Sequence, residues 1–264
     1  MSQILIGTSG YDYPEWRGVF YPEDLKRKDF LQYYATQFNA LELNNTFYSM
    51  PTADRLLSFW ERSQGQLQFS IKTNRLLTHE IDRQWQNTAE AFIAAVNPVF
   101  QKGSLSALLF QFPQSFHYTP DNRIYLSKLL EKFEAFPCVI EFRHNEWIKE
   151  SVFEGLEKRG TGIVFCDMPS LKYLPDGKTV KTPFVGNTAY IRLHGRNEAA
   201  WYSAGNSING SERYNYNYTD SELQEFVPVI QQARVEQKRV QVYFNNHPNG
   251  NGAKNAKRLT QITR

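Results

Sequence analysis

The 264-residue sequence predicts a (β/α)8 barrel, an α/β fold of eight parallel strands with outer helices, and three observations carry that prediction. Short apolar or β-branched runs recur along the chain with helix-patterned stretches between them, the alternation of a parallel α/β protein. The length is close to the ~250 residues typical of a closed barrel, and no Gly-x-Gly-x-x-Gly turn marks an open doubly wound sheet. Polar residues gather at the C-terminal ends of the strand-like runs, the end at which barrel enzymes build their active sites.

The first strand is expected at residues 4–7, and the stretch after it, Gly7-Thr8-Ser9-Gly10, is either a plain turn or a cradle of backbone N–H groups for an anion. A helix follows at 30–38, then a strand at 40–43 and the segment Asn44-Asn45-Thr46-Phe47-Tyr48, on the same end of the barrel. Thr52 caps a helix at 53–63, a strand runs over 68–72, and Asn87 precedes a helix at 88–99. Strands at 105–112, 138–142 and 162–166 alternate with helices at 124–133 and 152–158. The seventh strand, 189–193, leads into the longest irregular stretch, 195–218, a length that in a compact barrel points to function or disorder. Thr219 and Glu222 have the spacing of a capping box at the start of a helix over 221–237, and the eighth strand is 240–244. No Pro- or Gly-rich linker divides residues 1–264, which read as one domain.

Composition narrows the function classes. With 30 Lys and Arg, 27 Asp and Glu and 41% hydrophobic residues, the chain is a globular protein of net charge +3. A domain of this size buries roughly three-quarters of the surface of its unfolded chain, so it needs neither disulfides nor a structural metal. No overall field draws it to nucleic acid or to an acidic membrane surface. Cys138 and Cys166, each flanked by apolar residues, suit buried thiols in a reducing compartment. No apolar run approaches the ~18 residues of a membrane span, and no basic leader precedes the first strand, so a cytoplasmic protein with no membrane partner is expected.

Alternation along the strands sharpens the site, because residues of one parity share one face. Outer faces pack on helices and should be apolar, so the polar parity should point into the barrel. That rule brings together Glu42, Lys72, Gln111, Glu141, Arg143, Asp167, Arg192, His194 and Asn245, with Asn44 and Ser70 on the same polar faces of their strands. One explanation is a satisfied network of interior ion pairs. The other is ligand chemistry, since buried charge is costly and a whole ring of it is poorly explained by stability.

As a site, Arg143 and Arg192 would fork onto an anion, with Glu42, Asn44, Gln111, Asn245, Ser9 and Tyr48 completing the binding surface. Glu141, Asp167, His194 and Lys72 are the candidates for moving protons. Lys72, desolvated beside an arginine, could act as base or Schiff-base nucleophile; paired with Glu42 or Glu141 it would stay charged. Glu141, Asp167 and His194 would also suit a divalent metal, a weak signal, because no His-Glu-x-x-His or paired-cysteine motif supports it and arginines compete for the carboxylates. His79 and His144 are possible rim residues, His117 and His247 lie in loops, and Tyr214 and Tyr216 sit in an alternating Asn-Tyr run beside Arg213 that could stack on rings or simply pack.

Several segments carry a family resemblance. Gly7-Thr8-Ser9-Gly10-Tyr11, Leu43-Asn44-Asn45-Thr46-Phe47-Tyr48, Phe69-Ser70-Ile71-Lys72, Phe110-Gln111-Phe112-Pro113, Glu141-Phe142-Arg143-His144 with Trp147, Asp167-Met168-Pro169, Tyr190-Ile191-Arg192-Leu193-His194-Gly195 and Tyr243-Phe244-Asn245-Asn246 occur in this order. The pattern resembles the YecE-like proteins, domain-of-unknown-function family 72, across nearly the whole chain. The resemblance implies a TIM-barrel-like fold and a bacterial cytoplasmic protein, and brings no established activity. The region around 195–218 departs from the family's shorter connection.

Three functions follow as expectations. The first is an enzyme acting on a small anionic metabolite, such as a phosphorylated sugar or sugar acid, as hydrolase, isomerase or lyase. The second is binding or cleavage of nucleic acid, for which Lys254, Lys257 and Arg258 offer a basic run that a solvated terminal helix also explains. The third is a noncatalytic ligand-binding barrel. Within the expected pocket three carboxylates balance three cations, which suits a zwitterionic or metal-accompanied ligand.

Overall fold

A computed structural model of the chain describes residues 4–175, 184–203, 211–236 and 238–263. Its strands are β1 (Ile4–Ser9), β2 (Ala40–Leu43), β3 (Gln68–Lys72), β4 (Leu105–Gln111), β5 (Cys138–Glu141), β6 (Gly162–Asp167), β7 (Thr188–Leu193) and β8 (Arg239–Phe244). They pair in sequence order, all parallel, and β8 returns to β1 to close the barrel. Closure leaves no sheet edge, and every βα connection returns on the same end, so eight strand C-termini surround one mouth.

The helices of the described residues are α1 (Phe30–Gln37), α2 (Asn45–Tyr48), α3 (Ala53–Arg62), α4 (Trp85–Gln101), α5 (Pro120–Lys132), α6 (Glu150–Glu157), α7 (Glu198–Ser203), α8 (Asp220–Gln224), α9 (Val227–Val235) and α10 (Asn251–Ile262). Capping sets several of their starts. Thr52 accepts the Arg55 N–H, and Thr119 accepts the Asn122 N–H, which places the start of α5 at Pro120, four residues before the apolar pattern begins. The capping box at Thr219 and Glu222 is complete. The single helix expected over 221–237 is two: α8 ends at Gln224 and α9 begins at Val227, where Pro228 in the first turn supplies no N–H to continue the earlier helix. Residue 237 itself lies outside the described residues. The stretch 195–218 carries α7 and a short 3-10 turn at Glu212–Tyr214, and its residues 204–210 lie outside the description. Among the described residues no helix is long and apolar enough to cross a membrane.

Two apolar layers follow from strand alternation. Outward residues such as Ile6, Leu41, Ile71, Phe110, Ile140 and Val242 pack on helix residues including Leu31, Phe92, Leu129 and Ile230. Inward residues form a smaller cluster of Leu5, Ala40, Leu109, Val139, Val164, Cys166, Tyr190 and Tyr243. At the β1–β2 seam a Cβ on Gly7 would stand 2.0 Å from the Ala40 carbonyl oxygen, so only glycine fits. The Tyr34 hydroxyl reaches the same seam, accepting the Thr8 N–H at 2.9 Å and donating to the Ala40 carbonyl at 3.0 Å. With the Gly10 N–H donating to the Glu42 carbonyl, the amide of Thr8 is taken up by α1 and that of Gly10 by β2. The 7–10 segment is therefore mostly strand, and an anion cradle there is overturned.

Candidate functional site at the mouth of the barrel

Three of the strand residues expected inside build one fully buried knot. Glu42 on β2 receives Arg192 from β7 through two hydrogen bonds, Nη2 to Oε1 at 2.7 Å and Nε to Oε2 at 3.0 Å. The Ser9 hydroxyl adds a bond at 2.6 Å and the Tyr190 hydroxyl another at 2.7 Å, so both Glu42 oxygens are doubly satisfied. The remaining arm of Arg192, Nη1, reaches Glu141 on β5 at 2.6 Å. Glu141 is paired on its other oxygen with Arg143. Burial on its own would raise the Glu141 carboxyl, but the Arg143 and Arg192 guanidiniums overcome it and hold the group far below the carboxylate range.

Arg143 links this knot to the mouth. Its Nη2 lies 3.1 Å from His194 Nε2, and because arginine can only donate, Nε2 carries the lone pair and Nδ1 the proton. Nδ1 lies 3.0 Å from the Asn245 side-chain amide, which must turn its oxygen to receive that proton. Burial, reinforced by Arg143 and Arg192, pushes the imidazole well below the ordinary histidine range, so His194 is neutral.

That shift has a measurable sign. In the unfolded chain a histidine takes up a proton near pH 6.5 and the folded His194 does not, so stability falls as pH drops below about 6.5, by up to ~1.4 kcal/mol per pH unit. His79 and His247, also held low by burial first, act in the same direction, and Glu141 adds to it at lower pH. Thermal melts between pH 7 and 5 should therefore show a falling Tm whose slope is shallower in His194→Gln, and equal slopes would contradict the neutral assignment.

Lys72 sits apart from the knot. Its Nζ donates to Gln111 Oε1 at 2.8 Å and lies 4.0 Å from the centre of the Phe47 ring. Gln111 Nε2 is bound to the Phe112 carbonyl at 2.9 Å, which fixes the amide so that its oxygen faces the amine. Phe47 is held by α2, where the Thr46 hydroxyl donates to the Lys72 carbonyl at 2.6 Å and Asn74 binds the Thr46 carbonyl at 3.0 Å. Burial first, then Arg192 and Arg143, lower the Lys72 amine to about 8 against the partial opposition of Glu141 and Glu42. No carboxylate pairs with Lys72 among the described residues, so the alternative of a lysine fixed to Glu42 or Glu141 falls. Asn44, just after β2, has a buried Oδ1 with no hydrogen-bond partner among the described residues. Tyr48 is 74% exposed, with its ring against Phe47, outside the enclosed part of the mouth.

Asp167 is the residue that strand parity misplaces. In β6 the inward positions are Val164 and Cys166, and Asp167 points the other way. It binds Arg196 through both oxygens at 3.0 Å and receives the Tyr218 hydroxyl at 2.6 Å. Arg196 continues to Glu225 at 2.9 Å, so Asp167 ties down the segment after β7. The rule that outer positions are apolar holds where helices cover the strand and relaxes at its last residue. Cys166 takes the interior place, near Glu141 and His194, its thiol raised well above the ordinary range by burial and by Glu141. The shared parity of Val164 and Cys166 was the available signal for it.

Two expectations change with this exchange. The metal set of Glu141, Asp167 and His194 is not assembled. Glu141, Cys166 and His194 do approach one another, but Glu141 is committed to two arginines and His194 Nε2 to Arg143, a donor set that resists a cation. The charge balance also shifts: among the described residues Lys72, Arg143 and Arg192 now face Glu42 and Glu141, without Asp167.

Aromatic side chains line the other side of the mouth, among them Tyr214 from the Asn-Tyr run together with Tyr13 and Trp201, which sequence patterning did not select. Tyr13 stacks on His247 with centroids 4.7 Å apart, and Tyr214 lies 6.1 Å from His247, 5.9 Å from His194 and 6.1 Å from Trp201. Tyr216 instead bonds Glu222, outside this group. The basic run near the C-terminus lies on α10, where Arg258 forks onto Asp220 and Lys257 lies over the Phe20 ring.

The family model described as "Protein of unknown function DUF72" matches residues 5–264. The chain belongs to the DUF72 family. The UPF0759 protein YunF of Bacillus subtilis (strain 168) is 27% identical over 98% of this chain and 94% of its own length. The UPF0759 protein YecE of Escherichia coli (strain K12) is 23% identical over 62% of this chain and 59% of its own length. The crystal structure of a DUF72 family protein from Thermotoga maritima MSB8 is 31% identical, covers 98% of this chain and 99% of that one, and superposes with a TM-score of 0.83.

Proposed function

We propose that the mouth of this DUF72 barrel binds a small anionic metabolite, of the phosphorylated-sugar or sugar-acid class, and acts on it by acid/base chemistry in which Lys72 moves the proton. The observation that carries this reading is a cation without an ion-pair partner: among the described residues Lys72, enclosed beside Arg143 and Arg192, has only the neutral Gln111 amide as acceptor. An amine titrating near neutrality can hold an anionic group when charged and take a proton when neutral. Arg143, partly open to solvent, extends the positive surface, while Arg192 is fully committed to Glu42 and Glu141 and shapes the site from beneath. Asn44 offers an unsatisfied buried oxygen for a ligand hydroxyl, and the Trp201–Tyr214–Tyr13 side offers faces on which a sugar ring can lie. Glu141 and His194 do not carry the proton in this scheme, one being locked as carboxylate and the other as neutral imidazole.

Thermal melts against inorganic phosphate, sugar phosphates, aldonic acids and small carboxylates test the proposal. At a hundredfold excess over its dissociation constant the true ligand should add about 2.7 kcal/mol and raise Tm by several degrees. A flat response to every anion, with neutral sugars stabilising instead, would overturn it.

A further inference from the structure

Away from the barrel network, three side chains converge where the loop after β4 meets the loop after β5. His117 Nδ1 lies 3.3 Å from Glu146 Oε2, and His144 Nδ1 lies 3.8 Å from the same oxygen. The two imidazole rings are 4.7 Å apart between centroids. Around a tetrahedral zinc ion with bonds of about 2.0–2.1 Å, neighbouring ligand atoms stand roughly 3.3–3.4 Å apart. Of the three spacings, the His117–Glu146 one already has this value and the His144–Glu146 one needs a closure of roughly half an ångström, within reach of a side-chain rotation, while the donor atoms of all three side chains lie within 4.8 Å of one another.

The surrounding packing holds the three residues in register. Trp147 stacks between Phe116 and Phe142, with centroids 5.2 and 4.6 Å away, and its indole N–H donates to the Phe116 carbonyl at 2.6 Å. Those contacts fix the chain neighbours of His117 and of Glu146. His144 is buried against Tyr173, while the His117 and Glu146 side chains are 53% and 45% exposed, which leaves a path from solvent.

We propose that His117 Nδ1, His144 Nδ1 and Glu146 Oε2 form a binding site for a divalent transition metal, zinc foremost, with its fourth position open to water or an incoming ligand. Two imidazoles and one carboxylate suit zinc and disfavour magnesium and calcium, which take oxygen ligands. The same atoms carry two backbone bonds: the Glu146 N–H donates to His144 Nδ1 at 3.2 Å and the Tyr118 N–H to Glu146 Oε2 at 3.1 Å. Coordination exchanges the first for a metal bond and keeps the second as the contact that orients the carboxylate. The ion joins two loops on the face that carries Lys72, and the site stands independently of the reading of that mouth.

Calorimetric titration of tag-free, chelator-treated protein with zinc chloride tests this site. Wild type should bind one zinc per chain, and His117→Ala and Glu146→Gln should each weaken binding at least about tenfold while keeping the wild-type circular dichroism spectrum. Gln at 146 preserves an acceptor for the Tyr118 N–H, so its loss reports on coordination. Cys166→Ser should bind zinc as wild type does. The site is refuted by an absence of saturable binding in wild type, by unchanged affinity in both loop variants, or by loss of the zinc with Cys166→Ser alone.

Discussion

Glu42→Gln is expected to destabilise the protein by about 3–5 kcal/mol, a fall in Tm on the order of 10 °C. Glu42 is completely buried, as is nearly all of Arg192, and the two meet through a bidentate pair in the middle of the barrel. Gln keeps the volume and removes the charge, which leaves part of a buried guanidinium uncompensated and sets an amide NH2 among the donors from Ser9, Tyr190 and Arg192. The double variant Glu42→Gln with Arg192→Met should recover much of this loss, because it removes the stranded cation while Glu141 keeps Arg143. Chemical denaturation of the single and double variants decides the matter. A single-variant loss below about 1 kcal/mol would show that the knot is solvated and does not hold the strands together.

The second large effect is at Lys72. Lys72→Met keeps most of the side-chain volume and removes the amine over the Phe47 ring with the only hydrogen bond it makes among the described residues, so the fold should survive. Any anion that stabilises wild type should bind this variant at least about 100-fold more weakly, the scale of losing a charge-assisted hydrogen bond in an enclosed site. Lys72→Arg separates the two roles assigned to the amine. It keeps the cation, so binding should persist, but a guanidinium does not give up its proton, so turnover should vanish with KM little changed. Equal anion affinity in wild type and Lys72→Met would remove Lys72 from the site.

The fold was legible in the sequence because both of its signals are local. Eight apolar runs mark the strands, and caps such as Thr52 and Thr219 mark helix starts, whereas the α8–α9 break needed the weight of Pro228 against an apolar pattern that continues across it. Strand parity also found most of the interior, since Glu42, Lys72, Gln111, Glu141, Arg143, Arg192, His194 and Asn245 do lie on one side of their strands or just beyond. It failed at β6, where hydrophobicity rates a thiol as outer and a carboxylate as inner, while the barrel interior accepts the small Cys166 and the uncovered strand end gives Asp167 an arginine and a tyrosine. Pairing was not legible at all. Whether Lys72 meets Glu141 or Gln111 depends on the stagger of β3 and β4, which includes a register shift after Phe69. The His117–His144–Glu146 cluster was hidden for the same reason, its members lying in different loops brought together by the stacking of Trp147.

The decisive property of the barrel mouth is an enclosed amine that has no carboxylate partner among the described residues. Its most direct test is a site-resolved titration of Lys72, in which an amine-reactive label is applied across a pH series and its incorporation at that residue is followed by mass spectrometry. The midpoint should lie at about 8, well below the ~10.4 of an ordinary lysine, and should move upward when an anionic ligand occupies the site. A midpoint at or above the ordinary value would mean that a carboxylate holds the amine charged and that Lys72 has no free role at the mouth.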